Sequence, residues 1–235
     1  MSNSKQNWVV SDSPPASVLD AYEVGTSSLG DLPARLLYNR GFDTPGEARQ
    51  FLNAGYSDLS DPSLLPGIDK AASRLISAIE RGESIGIVGD FDVDGLTGAA
   101  LLLGSIEAFG GNAVAFVPDR QNDGHGVPMS ALSSMHASGV KLVITADTGT
   151  SELESLEYAA SLGLDVVVTD HHVIGDELPA VVALVNPHLG DDDSPAAGLT
   201  GAGVAFKLVQ TVGRQLGRGG ASTALALAAL GTVAD

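Results

Sequence analysis

Cysteine is absent from the 235-residue sequence, so neither disulfide bonds nor thiolate metal sites contribute to its fold or chemistry. Any bound metal must therefore use oxygen and imidazole ligands. Basic residues are also few: 12 Lys and Arg stand against 29 Asp and Glu, which gives a formal net charge of -17. This charge opposes general electrostatic binding of a polyanion, because the average field repels phosphate groups. Bound divalent cations would reverse the sign of that field locally, so net charge does not decide the substrate.

Long apolar runs are missing as well. No run reaches the roughly 18 residues that a membrane-spanning helix needs. The first residues, MSNSKQNWVVSDSPP, lack the basic segment followed by an apolar segment that marks a secretion signal. We therefore expect no membrane anchor and a cytoplasmic protein.

Short β-branched runs alternate with amphipathic segments from residue 85 onward. Hydrophobic residues make up 44% of the chain and aromatic residues only 5%, a balance typical of a parallel α/β protein. We predict an α/β fold with a mostly parallel, doubly wound sheet. The predicted strands span residues 85–89, 113–117, 141–146, 165–169 and 182–185, and the predicted helices span residues 96–109, 128–138, 152–162, 203–217 and 221–231.

The segment before this alternation divides into two parts. Residues 1–28 are polar and contain Pro and Ser, so we expect a flexible leader. Residues 29–82 have apolar residues at helical spacing, so we expect a helical preface to a catalytic domain at residues 83–235. Within the preface, Thr44-Pro45-Gly46-Glu47 has the capping-box pattern that starts a helix.

Acidic and imidazole residues follow three of the predicted strands. These strands lead into Asp90-Phe91-Asp92-Val93-Asp94-Gly95, into Asp147-Thr148-Gly149 and into Asp170-His171-His172. Because the carboxyl ends of parallel strands line one crevice, we expect the three segments to converge. An Asp after a strand often only caps the next helix, but three such segments together favour a shared site.

Several carboxylates so close together require cations, because adjacent like charges otherwise force protonation. Hard oxygen ligands with one or two imidazoles suit manganese or magnesium better than structural zinc. Two such ions, bridged by one carboxylate, are a common means of activating water for phosphodiester hydrolysis. The sequence therefore predicts two Mn²⁺ or Mg²⁺ ions as cofactors.

Four further residues each have two interpretations. Gly201 and Gly203 stand at the start of a predicted helix, and either place backbone N–H groups against a phosphate or form a plain tight turn. Arg120 and His125, in the loop after strand 113–117, either contact substrate or lie exposed to solvent. All four are candidate substrate-binding residues.

Seven segments resemble, in identity and order, motifs of the RecJ branch of the DHH phosphoesterases. They are GDFDVDG, VPDRQNDGHGVP, ITADTG, VVVTDHH, LPAVVALVNP, LTGAGVAFKL and ALAALGTVAD. The segment LPARLLYNRGFDTPGEARQFLN resembles the N-terminal preface of that branch. The resemblance covers nearly all the chain after residue 28. This combination is specific, although Asp-His-His alone is a weak signal.

The resemblance implies a metal-binding role for the first two acidic segments. Asp92 and Asp94 would divide between the two ions, and Asp90 would be an additional or alternative ligand. Asp147 would be the carboxylate that bridges both ions.

The resemblance also implies roles for the third segment and for the last residue. His171 would bind one metal ion, and Asp170 would orient His171. His172 would contact the scissile phosphate or transfer a proton. Asp235 would complete the coordination of the second ion.

As a whole, the resemblance implies a 5′-to-3′ exonuclease specific for single-stranded DNA that acts in recombination and repair. Its partners would be single-stranded DNA and a single-strand-binding protein or helicase. Such enzymes continue past GTVAD into a DHHA1 domain and an oligonucleotide-binding module. Neither part is in this chain, so we expect residues 1–235 to have weak or no processive nuclease activity.

Two alternatives stay open. One is a DHH phosphodiesterase that acts on short oligonucleotides or cyclic nucleotides, and the other is a non-catalytic DHH scaffold. Relatives with short substrates usually have Asp-x-Asp-Ala-x-Gly-Ser in the first motif, whereas this chain has Asp92-Val93-Asp94-Gly95-Leu96-Thr97-Gly98. Scaffold relatives have lost metal ligands, whereas every ligand type is present here. Both comparisons favour the exonuclease.

Overall fold

The computed structural model describes residues 12–25, 31–119, 126–218 and 222–235. The chain divides into two compact units, Met1–Leu59 and Ser60–Asp235. Each unit has a hydrophobic core of its own.

Within its described residues, the first unit contains the helices α1 (Ala16–Gly25), α2 (Asp31–Tyr38) and α3 (Pro45–Leu52). Thr44 caps α3: its side chain accepts the N–H of Glu47, and the Glu47 carboxylate accepts the N–H of Thr44 in return. The predicted capping box is therefore confirmed.

Helix α1 contradicts part of the expected flexible leader. Its Tyr22 is 1% exposed and packs with Ala34, Leu37 and Ala48. One aromatic ring buries a large apolar area, and this burial orders a segment whose composition is otherwise polar. The expectation of a flexible leader over residues 1–28 is thus wrong for residues 16–25.

Five parallel strands form the sheet of the second unit, in the order β2-β1-β3-β4-β5. They are β1 (Ser84–Gly89), β2 (Asn112–Phe116), β3 (Val140–Ala146), β4 (Asp165–Thr169) and β5 (Ala183–Val185). Each strand lies within one residue of its predicted bounds. The central strands are aliphatic along most of their length because both of their faces are covered.

Helices cover both faces of this sheet. One core contains residues of α4 (Ile68–Arg81), α5 (Val93–Ala108), α8 (Gly201–Gln215) and α9 (Ser222–Ala234), and the other contains residues of α6 (Met129–Ala137) and α7 (Leu153–Ser161). The two layers confirm the predicted doubly wound α/β fold. Among the described helices, none is both long and apolar enough to cross a membrane.

Helix α4 belongs to the second unit, not to the N-terminal preface in which the sequence placed it. Its Ala71, Ala72 and Leu75 are fully buried in the core that also contains Ile85 and Ile87 of β1. Burial of a leucine side chain contributes about 1.5–3 kcal/mol, so this contact makes the helix part of the sheet domain. The boundary predicted at residue 82 therefore lies after residue 59.

The order of the strands reverses between β1 and β3. Chain connections leave in opposite directions at such a point and open a crevice outside the carboxyl ends of the strands. Asp90 follows β1 and Asp147 follows β3, so two of the acidic segments border this crevice.

Candidate metal centre

The first acidic segment forms a tight turn from β1 into α5. Asp90 accepts the next backbone N–H at 2.7 Å, and Asp92 caps α5 by accepting the N–H of Gly95 at 2.9 Å. A Cβ on Gly95 would lie 2.5 Å from the backbone of Asp90, so the turn requires glycine. The helix begins at Val93, three residues before its predicted start, and holds Asp94 in its first turn.

The N-terminus of α8 binds the buried carboxylate of Asp94. Gly201 donates its N–H to Asp94 Oδ2 at 2.6 Å, and Ala202 donates its N–H to Oδ1 at 3.0 Å. Two free amides and the positive end of the helix dipole stabilise an anion at this position. Thr200 caps the same helix by accepting the N–H of Gly203 at 3.3 Å.

These contacts correct the interpretation of Gly201 and Gly203 as phosphate-binding residues. The N–H of Gly201 binds Asp94 and the N–H of Gly203 binds Thr200, so both amides are used within the protein. Close packing against Asp147, not phosphate binding, explains the glycine at position 201. A Cβ there would lie 2.4 Å from the Cβ of Asp147, so the absence of a side chain lets α8 approach the site.

Asp147 lies at the centre of the site with an unusual backbone conformation. Its φ of 63° is in the left-handed region, the only such value among the non-glycine residues that the structure describes. A strained conformation of this kind costs roughly 1–3 kcal/mol and persists where the surroundings fix a functional side chain. The side chain is 2% exposed, and within the described part of the chain its Oδ1 has no hydrogen-bond partner.

Three carboxylates surround the imidazole of His171. Nε2 of His171 lies 3.2 Å from Asp147 Oδ1, 3.8 Å from Asp94 Oδ2 and 3.9 Å from Asp235 Oδ2. The contact with Asp147 is short but lacks the geometry of a hydrogen bond. Asp235 reaches this group from the end of α9. The structure thus brings together a residue of the first turn of α5 and residues that follow β3, β4 and α9.

Asp170 holds the ring of His172. Its Oδ1 lies 2.8 Å from His172 Nδ1 and accepts the N–H of His171 at 2.8 Å, and its Oδ2 accepts the N–H of Thr150 at 2.9 Å. The role implied for Asp170, orienting His171, stays a prediction. Its carboxylate contacts the backbone of His171 and the ring of His172. Because Nδ1 of His172 contacts Asp170, Nε2 is the ring nitrogen that can bind another partner.

The electrostatic environments of Asp170 and His172 stabilise opposite charges. Burial alone would raise the pKa of Asp170, but the hydrogen bonds from His172 and Thr150 outweigh it and lower that pKa to about 2. The same carboxylate raises the pKa of His172 to about 9. At neutral pH the carboxylate is ionised and the imidazole carries a proton.

The pKa of Asp147 shifts in the opposite direction to that of Asp170. Burial raises the pKa of Asp147 to about 7, repulsion from Asp94 and Asp92 adds to the effect, and the contact with His171 opposes it. That contact raises the pKa of His171. These shifts favour the protonated form of each group, and a metal ion bound here would displace such protons.

The donor set fits hard divalent cations. Among the described residues, three groups of side chains have ligand atoms within 4.8 Å of one another: Asp147, His171 and His172; Asp94, His171 and Asp235; and Asp90, Asp92 and Asp147. Carboxylates with imidazole and without thiolate suit Mn²⁺ or Mg²⁺. The buried Oδ1 of Asp147 is the most direct sign, because it has no hydrogen-bond partner among the described residues and a bound cation would compensate the cost of its burial.

We predict that Mn²⁺ binding releases more protons at pH 6 than at pH 8.5. Asp147, with its pKa of about 7, must lose its proton to bind a cation, and the raised pKa of His171 adds to the release. Calorimetric titrations in two buffers of different ionisation enthalpy measure the difference. The variant Asp147→Asn should release fewer protons, and equal release at both pH values would contradict the assignment.

The raised pKa of Asp147 also predicts how the stability of the metal-free protein depends on pH. A carboxyl whose pKa is raised in the folded state binds a proton more tightly there than in the unfolded chain. Asp147 therefore stabilises the fold below pH 3.8, and this contribution is lost as the pH rises towards 7. Mn²⁺ affinity should instead rise between pH 3.8 and about 7, because the cation binds the deprotonated carboxylate.

Some site residues were not found from the sequence, and two predicted site residues lie outside the described part of the chain. A Cβ on Gly231 of α9 would lie 2.5 Å from Asp94 Oδ1, so this glycine lets α9 pass over the site. The sequence does contain a signal for Gly231, because a glycine within a helical pattern often marks close packing. Thr150 gave no sequence signal. Arg120 and His125 lie outside the described residues, and their roles stay predictions.

Comparison of this chain with known proteins identifies the family to which it belongs. The family model "DHH family, N-terminal domain" matches residues 84–232. The single-stranded-DNA-specific exonuclease RecJ of Bacillus subtilis is 40% identical over 204 residues, which cover 87% of this chain and 25% of that protein. RecJ of Escherichia coli is 37% identical, with 87% and 38% covered, and RecJ of Thermus thermophilus is 35% identical, with 97% and 32% covered. The chain thus spans between a quarter and two fifths of the length of these relatives.

Solved structures agree with this result. A structure of exonuclease RecJ bound to manganese has a TM-score of 0.67 at 37% identity and covers 73% of this chain and 43% of that one. A structure of RecJ from Thermus thermophilus in complex with Mn²⁺ has a TM-score of 0.73 at 30% identity and covers 94% of this chain and 31% of that one. The chain belongs to the DHH family, and residues 84–232 are its DHH N-terminal domain.

Proposed function

We propose that this chain is the catalytic part of a RecJ-type exonuclease that hydrolyses phosphodiesters of single-stranded DNA from the 5′ end, in recombination and repair. The observation that supports it most is the buried Oδ1 of Asp147, which has no hydrogen-bond partner in the described structure and lies beside His171. The similarity to RecJ exonucleases supports the substrate, and the resemblance noted in the sequence supplies the polarity.

The metal ligands in this proposal come from four segments: Asp90, Asp92, Asp94, Asp147, His171 and Asp235. Two bound Mn²⁺ or Mg²⁺ ions would supply activation of the attacking water and stabilisation of the leaving oxygen. Asp147 belongs to two of the three possible ligand groups, as a carboxylate shared between two ions would. The protein positions two of these side chains in advance, Asp92 through its cap on α5 and Asp94 through the α8 amides that bind it.

In this proposal His172 interacts with the substrate phosphate. Its ring lines a cavity of about 160 Å³ together with Asp90, Asp147, Thr148 and Ser151. The hydrogen bond to Asp170 raises the pKa of His172 to about 9, which favours the protonated imidazole. In our proposal its remaining N–H donates to a non-bridging phosphate oxygen, where it offsets the negative charge that develops during hydrolysis.

The first motif supports the RecJ-type substrate over short or cyclic nucleotides. Relatives with short substrates usually have alanine after the second aspartate of this motif, at the position of Gly95. In this backbone a Cβ at that position would lie 2.5 Å from Asp90. The turn in this backbone therefore requires glycine, the residue that the RecJ-type motif has at this position.

The test is cleavage of a 5′-phosphorylated single-stranded oligonucleotide by the purified chain. We expect slow cleavage with MnCl₂, loss of cleavage in EDTA and recovery when Mn²⁺ is restored in excess. A duplex of the same sequence should be cleaved at least tenfold more slowly. Cleavage that persists in EDTA would contradict the metal-dependent mechanism, and equal rates on both substrates would contradict the single-strand preference.

A further inference from the structure

A buried polar network lies next to the candidate site, and Asn186 joins its parts. Asn186 follows β5 and is 0% exposed. Its Nδ2 donates to Thr150 Oγ1 at 3.0 Å and to the carbonyl oxygen of His172 at 2.9 Å, and its Oδ1 accepts the N–H of His188 at 2.9 Å. One side chain thus links the segments that follow β3, β4 and β5.

The two bonds that Asn186 donates end on groups that hold His172. Thr150 accepts one of them and donates its own N–H to Asp170, which binds the ring of His172. The other bond fixes the backbone carbonyl of His172 itself. Because the network is buried, loss of either bond leaves a polar group without a partner and lets the turn shift.

We infer that Asn186 is a positioning residue that fixes His172 towards the substrate phosphate through Thr150 and the His172 carbonyl. This inference rests on the proposed function. A purely structural role competes with it, because Asn186 Oδ1 also caps the short 3₁₀ turn Pro187–Leu189. An aspartate caps such a turn as well as an asparagine does, but it cannot donate from the Nδ2 position.

The variant Asn186→Asp separates the two roles, because it keeps the cap and removes both donated bonds. We expect kcat on a 5′-phosphorylated single-stranded oligonucleotide with MnCl₂ to fall about 10- to 100-fold, with KM within about twofold. Thr150→Val, which removes one acceptor without adding a buried charge, should lower kcat in the same way. Thr211→Val is the matched control, because Thr211 is buried in α8 and its hydroxyl bonds only the carbonyl of Lys207 among its described contacts.

A second readout does not depend on activity. In protein labelled with ¹⁵N-histidine, the Nδ1–H of His172 should give a downfield signal from its bond to Asp170. We expect this signal to weaken in Asn186→Asp and in Thr150→Val and to persist in Thr211→Val.

Unchanged kcat and an unchanged signal in Asn186→Asp and Thr150→Val would overturn the inference and leave Asn186 as a cap. If the wild-type chain cleaves no oligonucleotide, the proposed function fails. The histidine signal then decides the positioning role by itself: its loss in both variants supports the inference, and its persistence overturns it.

Discussion

Asp147→Asn is expected to lower metal-dependent hydrolysis by about 10³-fold or more. A metal centre contributes several kcal/mol of transition-state stabilisation, and about 4 kcal/mol corresponds to about 10³-fold in rate. Asparagine keeps the shape of the side chain and tolerates the left-handed backbone at this position, so the fold should persist. Oligonucleotide cleavage and calorimetric titration with Mn²⁺ measure the two losses on the same preparation.

Asp192→Asn is the matched control for this variant. It changes the net charge equally, and Asp192 lies exposed in the loop before α8. We expect cleavage and Mn²⁺ affinity within twofold of wild type. If Asp147→Asn behaves like this control in both measurements, the non-catalytic scaffold becomes the better interpretation.

Gly201→Ala is expected to lower kcat/KM by about 100-fold without removing any ligand. The new Cβ would lie 2.4 Å from the Cβ of Asp147 and 2.7 Å from its Oδ1, so α8 must shift away. The shift would also weaken the amide contacts that hold Asp94. A displacement of about 1 Å at a catalytic site can cost about 10²-fold in rate, and overpacking of this kind costs about 1–3 kcal/mol of stability.

Gly198→Ala tests the same change three residues away. Gly198 is exposed, and a Cβ there meets no described atom within 4 Å. We expect wild-type activity and an unchanged Tm from this control. Normal activity and Tm in Gly201→Ala would show that α8 does not need to approach Asp147 as closely as the structure shows.

The sheet and its helices were largely predictable because their signal is local. Alternation of β-branched runs with amphipathic segments predicted all five strands to within one residue. Errors occurred where long-range packing decides the structure. Tyr22 orders α1 by contact with two later helices, and Leu75 attaches α4 to the sheet. The residues that flank Tyr22 and Leu75 in the sequence do not indicate these contacts.

Convergence of the acidic segments also followed from a general rule, since parallel strands end at one edge. The partners of each side chain did not follow. The binding of Asp94 to the α8 amides joins residues more than 100 positions apart, and the bond of Asp170 to His172 depends on the shape of a turn. Composition and spacing contain no information about such contacts, so Gly201 could be named only as a candidate for substrate binding or a tight turn, and its bond to Asp94 was not predicted.

The central claim is that the ends of β1, β3, β4 and α9 form one divalent-metal centre. Anomalous diffraction at the manganese edge, from crystals soaked in MnCl₂, tests it most directly. We expect Mn²⁺ within coordination distance of Asp147, with His171 and the carboxylates after β1 among its other ligands. Manganese found only at other acidic groups of the protein, with none contacting Asp147, would contradict the claim.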